Sequence, residues 1–324
     1  MGLYEKSLRV GLAAMLLAVA LRLVSSSLPQ KIWEWLLLPD TAAFIVYTET
    51  GRDVRFSSSL EAFSPAFVET PPPLLPEPEI LPVPTFSDAE IVELTYGCNV
   101  RPDIETLLAQ PLHWDLYAEE PTVLILHTHS TESYTKQGES YEETSQWRTL
   151  DEGYNMLSIG DRVAQLLNQQ GIPTIQDREL HDYPSYNGSY AHAREKIREY
   201  LEETPSIRLI LDLHRDASEG ENGQLRTVAK VEGEASAQLM IVLGTNHEGY
   251  AENLSLALKL HAQLETQSPG ITRPLQLRGQ RFNQDLLPGA LLVEVGAAGN
   301  SHGEALRAAE QLAKAVAALA KGTE

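Results

Sequence analysis

The chain has 324 residues, enough for one good-sized domain with accessory segments or for two domains. Its 45 acidic residues outnumber 25 basic ones, and a net charge of −20 works against DNA, RNA or anionic lipid headgroups as partners. A single cysteine, Cys98, excludes an internal disulfide and a cysteine-based zinc cage.

At the N-terminus, Lys6 and Arg9 precede an apolar run from Val10 to Leu21, followed by Arg22, Leu23, Val24 and three serines. A basic start before an apolar core is the layout of an export signal or an N-terminal membrane anchor, expected over residues 1–28. The core is short of the roughly 20 residues that a spanning helix needs, so Arg22 has to snorkel or sit at the interface. Val24-Ser25-Ser26 also offers small residues suited to cleavage. Residues 29–63 read as a small juxtamembrane segment with a strand at Ala43–Tyr47. Ser64–Phe86 is dense in proline and acidic residues, which remove backbone donors and favour extended conformations. A semi-rigid or disordered linker is therefore expected over 64–114, holding the remainder away from the membrane.

From residue 115 to 324 the sequence alternates between strand and helix. Strands are expected at Val123–Leu126, Ile207–Leu213, Leu239–Leu243 and Ala290–Val295. Helices are expected over Asn155–Ile172, Tyr190–Glu203, His247–Gln267 and Gly303–Lys321. The first carries apolar residues at Met156, Ile159, Val163, Leu166 and Leu167, with Gly171 near its end. This order implies an α/β domain with a mixed or mostly parallel sheet flanked by helices. Strand ends in such sheets gather on one edge, where ligands bind.

Three of these strands deliver ionisable groups to their ends. After Leu126 come His127, His129 and Glu132; the stretch from Ile207 to Ser218 adds Asp212, His214, Arg215 and Asp216; and Glu294 interrupts an apolar run. Burying such groups is costly unless they are paired or bound to a metal ion. His129 and Glu132 form a His-x-x-Glu pair, and His214 completes two imidazoles and one carboxylate. That set leaves the fourth position of tetrahedral Zn²⁺ open, with Glu294 as the candidate base among Leu291, Leu292, Val293 and Val295. Plainer alternatives stand beside this reading. His214 can be a structural histidine held by Asp212 or Asp216, or Asp212 can orient a metal-bound His214. Glu294 can pair with Arg215, Arg278 or Arg281, and Arg215 can pair with Asp216 or serve as a substrate-binding cation. Asn283, Gln284 and Asp285 read as groove lining or as a polar turn. His113, His181, His192, His247, His261 and His302 read as ordinary histidines without partners.

The stretches LILHTHSTESY, YNMLSIGDRVAQLLNQQGI, LILDLHRDA and FNQDLLPGALLVEVGAAGN together resemble the stage II sporulation protein P family of endospore-forming bacteria. They are similar, less closely, to zinc-dependent N-acetylmuramoyl-L-alanine amidases, but lack the glycine-rich Asp-Pro-Gly-His-Gly-Gly opening of the commoner ones. His129 is chosen as first ligand for its spacing to Glu132, with His127 as an outer neighbour or alternate ligand. The resemblance implies a membrane-anchored peptidoglycan hydrolase, active on the wall side during engulfment. It implies cleavage of the N-acetylmuramoyl-L-alanine amide, cleavage of peptide cross-links as well, and a retained anchor. It also implies stage II sporulation proteins D and M as partners. A carboxypeptidase or deacetylase of the wall, or a wall-binding scaffold that has lost its metal, remain the competing readings.

Overall fold

A computed structural model describes residues 91–220 and 223–323. The expected anchor, juxtamembrane segment and proline-rich stretch to Phe86 lie outside the described residues. Among the described residues, no helix is long and apolar enough to cross a membrane.

Seven strands form one sheet: β1 (Leu94–Gly97), β2 (Val123–Leu126), β3 (Thr174–Gln176), β4 (Leu209–Asp216), β5 (Leu239–Gly244), β6 (Leu275–Arg278) and β7 (Ala290–Ala297). Their order is β1-β6-β5-β7-β4-β2-β3. Every neighbouring pair is parallel except β5 with β7. The mixed, mostly parallel α/β sheet expected from the strand–helix alternation is thus present. Two small hairpins pair Glu219–Gly220 with Gly223–Gln224 and Ala229–Val231 with Glu234–Ser236.

The helices are α1 (Ile104–Ala109), α2 (Met156–Gln169), α3 (Ser189–Glu203), α4 (Tyr250–Gln267) and α5 (His302–Ala318). α2 starts where Asn155 accepts a hydrogen bond from the backbone N–H of Leu157, and α5 starts with a reciprocal Ser301/Glu304 capping box. Met156, Ile159, Val163 and Leu167 of α2 join the apolar faces of α4 and α5 in the main core, against Leu211, Leu213, Ile241, Leu243, Leu291 and Val293 of the sheet. On the other face α3 covers only part of the sheet, where Ala193 and Ile197 meet Leu124, Leu126, Ile210 and Ala290. Met240, Val242 and Leu292 lie on that same face but pack only against Phe282. This half-covered face leaves room for a cleft.

The folded unit begins before position 115. β1 is the edge strand beside β6, and Leu107 and Leu108 of α1 are buried in the main core. The Lys259 ammonium of α4 donates to the Leu107 carbonyl at 3.0 Å and to the Ser255 hydroxyl at 2.8 Å, fastening α1 in place. The stretch 91–114, expected to be linker, is therefore part of the sheet and its helical cover. Short segments with one or two buried residues carry too little periodicity to stand out beside a proline-rich run. A chain started at residue 115 loses Val92, Leu107 and Leu108 from the core, each worth about 1.5–3 kcal/mol. Calorimetry should place its unfolding midpoint roughly 10 °C below that of the full chain; an unchanged midpoint would refute this role for 91–114.

Candidate active site

The loop after β2 is buried along its whole length from His127 to Tyr134, so each polar group needs a partner. Thr128 donates to the Asp212 carboxylate through its backbone N–H (2.8 Å) and its hydroxyl (2.7 Å). Ser130 donates to the carbonyls of His127 and Glu179. Thr131 donates to Asp182 through N–H and hydroxyl, and Arg148 pairs with the same carboxylate at 2.5 Å. Glu132 N–H closes the turn on the His129 carbonyl at 3.2 Å, which places the two side chains together. Tyr134 then crosses under β7, its hydroxyl donating to the Val295 carbonyl at 2.7 Å.

The two histidines of this loop diverge. His127 is fully enclosed, with Nδ1 3.1 Å from the Leu213 carbonyl and Nε2 3.1 Å from the Gln176 amide; burial pushes its pKa down to about 4. His129 instead meets His214 edge-on, with ring centroids 5.2 Å apart. Tyr186 stacks on His129 at 4.5 Å and brings its hydroxyl 3.1 Å from Nε2, while the Ser189 hydroxyl is 3.3 Å from Nδ1.

His214 sits on β4 between acids. Its Nε2 is 2.9 Å from Asp212 Oδ1, and its Nδ1 is 3.9 Å from Glu132 Oε2. Burial works to lower the His214 pKa, but Asp212, then Glu294 and Glu132, outweigh it and lift it to about 9. Burial opposes ionisation of Asp212 as well, yet His214 and the two Thr128 hydrogen bonds bring it down to about 2. Glu132 is buried and still held below the usual carboxylate range, chiefly by Arg215 and then by His214, His129 and Arg148.

Glu294 pairs with His214 in the β7–β4 register and with Met240 in the β7–β5 register. Just beyond it the β7–β4 register slips, and Gly296 adopts φ +75°, a bulge that lets Ala297 pair with Asp216. Asn300 braces this bend, accepting from Ala297 N–H and Thr227 N–H. The side chain of Glu294 lines a cleft of about 310 Å³, yet its Oε2 is shut off from solvent with no hydrogen-bond partner. Burial pushes its pKa up to about 8, with Glu132 adding to the rise and His214 opposing it.

His129, Glu132, His214 and Glu294 thus meet at one edge of the sheet. The alternative pairings do not form: Glu294 has no arginine partner among the described residues, and Asp216 pairs with Arg273 at 2.7 Å rather than with Arg215. Arg215 is buried, donating to the Ser133 and Trp147 carbonyls, with Glu132 Oε1 3.5 Å away. It holds the loop and is not a free substrate-binding cation. Asn283, Gln284 and Asp285 are tied as well: Gln284 bridges Gly244 N–H and the Val242 carbonyl, and Arg194 grips Asp285 with two bonds. They form the polar turn rather than groove lining. Histidines read as partnerless have partners, notably His181 with Asp177 at 2.6 Å and His302 with the Ser158 hydroxyl at 2.8 Å. Tyr186, Arg148 and Tyr190, whose ring meets His129 edge-on at 5.6 Å, went unnoticed in the sequence, since nothing local marks a side chain that folds back onto a distant histidine or acid.

The sequence profile of the stage II sporulation protein P family matches residues 87–317. The chain belongs to the stage II sporulation protein P family. Stage II sporulation protein P of Bacillus subtilis (strain 168) is 29% identical over 208 residues, covering 60% of this chain and 50% of the relative. The match thus spans about half of that relative's length. Among solved structures, the amidase AmiC2 of Nostoc punctiforme is similar at a TM-score of 0.37 and 16% identity, covering 60% of this chain and 93% of that one. The CwlD amidase of Clostridioides difficile, solved with the GerS lipoprotein, is similar at a TM-score of 0.39 and 12% identity, covering 60% and 96%.

The donor chemistry of this family member suits a divalent cation. Two imidazoles and a carboxylate adjoin two further acids; His214 Nε2 faces Asp212 at 2.9 Å and leaves Nδ1 toward Glu132, and the buried Glu294 Oε2 lacks a hydrogen bond. Among the described residues, however, no three His, Cys, Asp or Glu side chains are already gathered as a metal-holding group. The Tyr186 and Ser189 hydroxyls stand against the nitrogens of His129, and Arg148 and Arg215 against Glu132.

Folding raises Glu294 from an ordinary 4.5 to about 8 and His214 from 6.5 to about 9. These two groups hold more protons in the folded chain, so their own contribution to stability falls as pH rises from about 5 to 9, whereas buried His127 and His261, both brought down to about 4, contribute with the opposite sign in the lower part of that range. In thermal melts of chelator-treated protein, the stability of the parent relative to Glu294→Gln should fall as pH rises from about 5 to 8. A parallel pH profile for the variant would show that Glu294 does not carry the effect.

Proposed function

We propose that the chain is a zinc-dependent peptidoglycan hydrolase that cleaves the amide between N-acetylmuramic acid and L-alanine during sporulation engulfment. The observation that carries this reading is a half-buried Glu294 whose Oε2 is shielded and has no hydrogen-bond partner, beside His214, His129 and Glu132 and lining a cleft, in a chain of this family. His129, Glu132 and His214 would hold the ion, and zinc there would supply Lewis acidity for the scissile carbonyl and for water. Asp212, fixed by Thr128, orients His214 through Nε2 and leaves Nδ1 turned toward Glu132. Arg215 and Arg148 fix the Glu132 carboxylate. Glu294 takes the proton of the attacking water and returns it to the amide nitrogen as the C–N bond breaks. A pKa near 8 keeps Glu294 largely protonated at neutral pH, and a neighbouring dication favours the carboxylate that a base requires.

The family resemblance supports an N-terminal membrane anchor, a catalytic domain on the wall side, and stage II sporulation proteins D and M as partners. It also supports a second cut at peptide cross-links. The polar quartet disfavours a scaffold without activity, because a site freed from chemistry has no need to keep an acid with a shielded, unpartnered oxygen.

Full-length chain incubated with purified peptidoglycan should release stem peptides with free L-alanine amino termini, read by mass spectrometry, and chelator should stop the release. A deacetylase or carboxypeptidase would yield different products. Glu294→Gln should slow the reaction by about 10²–10⁴-fold while zinc stays near one per chain. His214→Ala and His129→Ala should both lose zinc. Turnover of Glu294→Gln at the parent rate would refute the assigned base.

A further inference from the structure

Open space flanks the reactive edge on both sides, and the two sides differ in chemistry. The sheet order fixes their arrangement: β5 and β6 lie beyond Glu294, whereas β3 and the loop carrying Tyr186 lie beyond His129. The 310 Å³ cleft on the first side has an apolar floor of Met240, Val242 and Leu292 beneath Phe282. Arg278 stands on its wall, its guanidinium bonded to the neutral Gln276 amide and to no carboxylate among the described residues. Floor and cation together suit a short peptide with small methyl side chains and free carboxylates.

The second side holds a cavity of about 510 Å³ whose lining includes the exposed Thr144 and Ser145 beside Arg148, with the Thr131 hydroxyl beneath them already bonded to Asp182. Two exposed rings border it. Tyr186 (55% exposed) is spent on its neighbours, with His129 against it at 4.5 Å and the Arg148 guanidinium over it at 4.8 Å. Tyr183 (48% exposed) has no ring or cation stacked on it among the described residues. An open tyrosine face among hydroxyls suits a pyranose, whose C–H face packs on the ring while its hydroxyls find polar partners.

We propose that the substrate lies across the reactive edge with a fixed polarity: glycan in the Tyr183 cavity, stem peptide in the Arg278 cleft. The scissile amide then crosses from one to the other above Glu294. This assignment rests on the hydrolase reading for the identity of the polymer, and it makes Tyr183 and Arg278 specificity determinants that touch no reacting atom.

The test uses full-length Glu294→Gln chain, fluorescently labelled stem peptide beginning with L-alanine, and peptide-free N-acetylglucosamine–N-acetylmuramic acid oligosaccharide. Adding Tyr183→Ala should weaken oligosaccharide binding about five- to tenfold and leave peptide binding unchanged. Adding Arg278→Ala should do the reverse, by a similar factor. Both side chains are at the surface, so an unchanged melting midpoint certifies each variant as folded. A crossed pattern, equal loss of both ligands, no loss from either substitution, or binding of neither ligand by the parent would overturn the assignment. If the active chain releases no L-alanine amino termini while the two affinities still separate, the amidase reading falls and the polarity stands. With normal cleavage but no separation of the affinities, the amidase reading stands and the polarity falls.

Discussion

Everything at the reactive edge depends on three adjacent strands running in the same direction and in register. β2, β4 and β7 are mutually aligned so that Leu126 and Leu292 flank Asp212, and Glu294 flanks His214. Parallel strands bring equivalent ends to one edge, and only there can residues 80 and more positions apart share a few ångströms. One residue of slip in β7 would turn Glu294 into the main core and Val293 or Val295 toward the cleft. The apolar alternation on both sides of Glu294 therefore does more than stabilise the sheet. It dictates which way the acid points.

The same alignment concentrates charge. Asp212, Glu132 and Glu294 surround His214, while the guanidinium groups of Arg215 and Arg148 are drawn to Glu132 on its far side. The result is an uneven field: Glu132 and Asp212 remain ionised, whereas Glu294, with no donor of its own, is driven toward the neutral form. Acids at one sheet edge are thus held in different protonation states by their surroundings. The loop that presents His129 is held by paired threonine–aspartate bonds at Thr128 and Thr131.

Much of this was legible in the sequence because long elements carry strong periodicity. The helix at Met156–Gln169 and the strands at Leu209–Asp216 and Ala290–Ala297 fall close to their expected bounds, and ionisable residues inside apolar strands pointed to the edge where they meet. Short elements escaped: β1, β3, β6 and α1 have three to six residues each, too few to show a repeat. Side-chain partnerships were the least legible part. Arg215 next to Asp216 in sequence looked like an ion pair, but adjacent residues on a strand face opposite ways, and Arg215 turned instead to Glu132. Likewise, the polar run at Asn283–Asp285 gave no sign that Gln284 would be enclosed between backbone groups of β5.

The lone antiparallel junction, between β5 and β7, has a consequence for how the cleft can diversify. Reactive side chains come from the carboxyl ends of β2, β4 and β7, but β5 enters the sheet beside Val295 and Glu294 with its amino end. Connections leading into β5 therefore open beside the chemistry, while those leading out of the other three strands carry it. Insertions ahead of β5 can remodel one bank of the groove without displacing a single reacting atom. The bank of the cleft formed by Met240 and Val242 and the side chains of the candidate site thus come from different stretches of the chain.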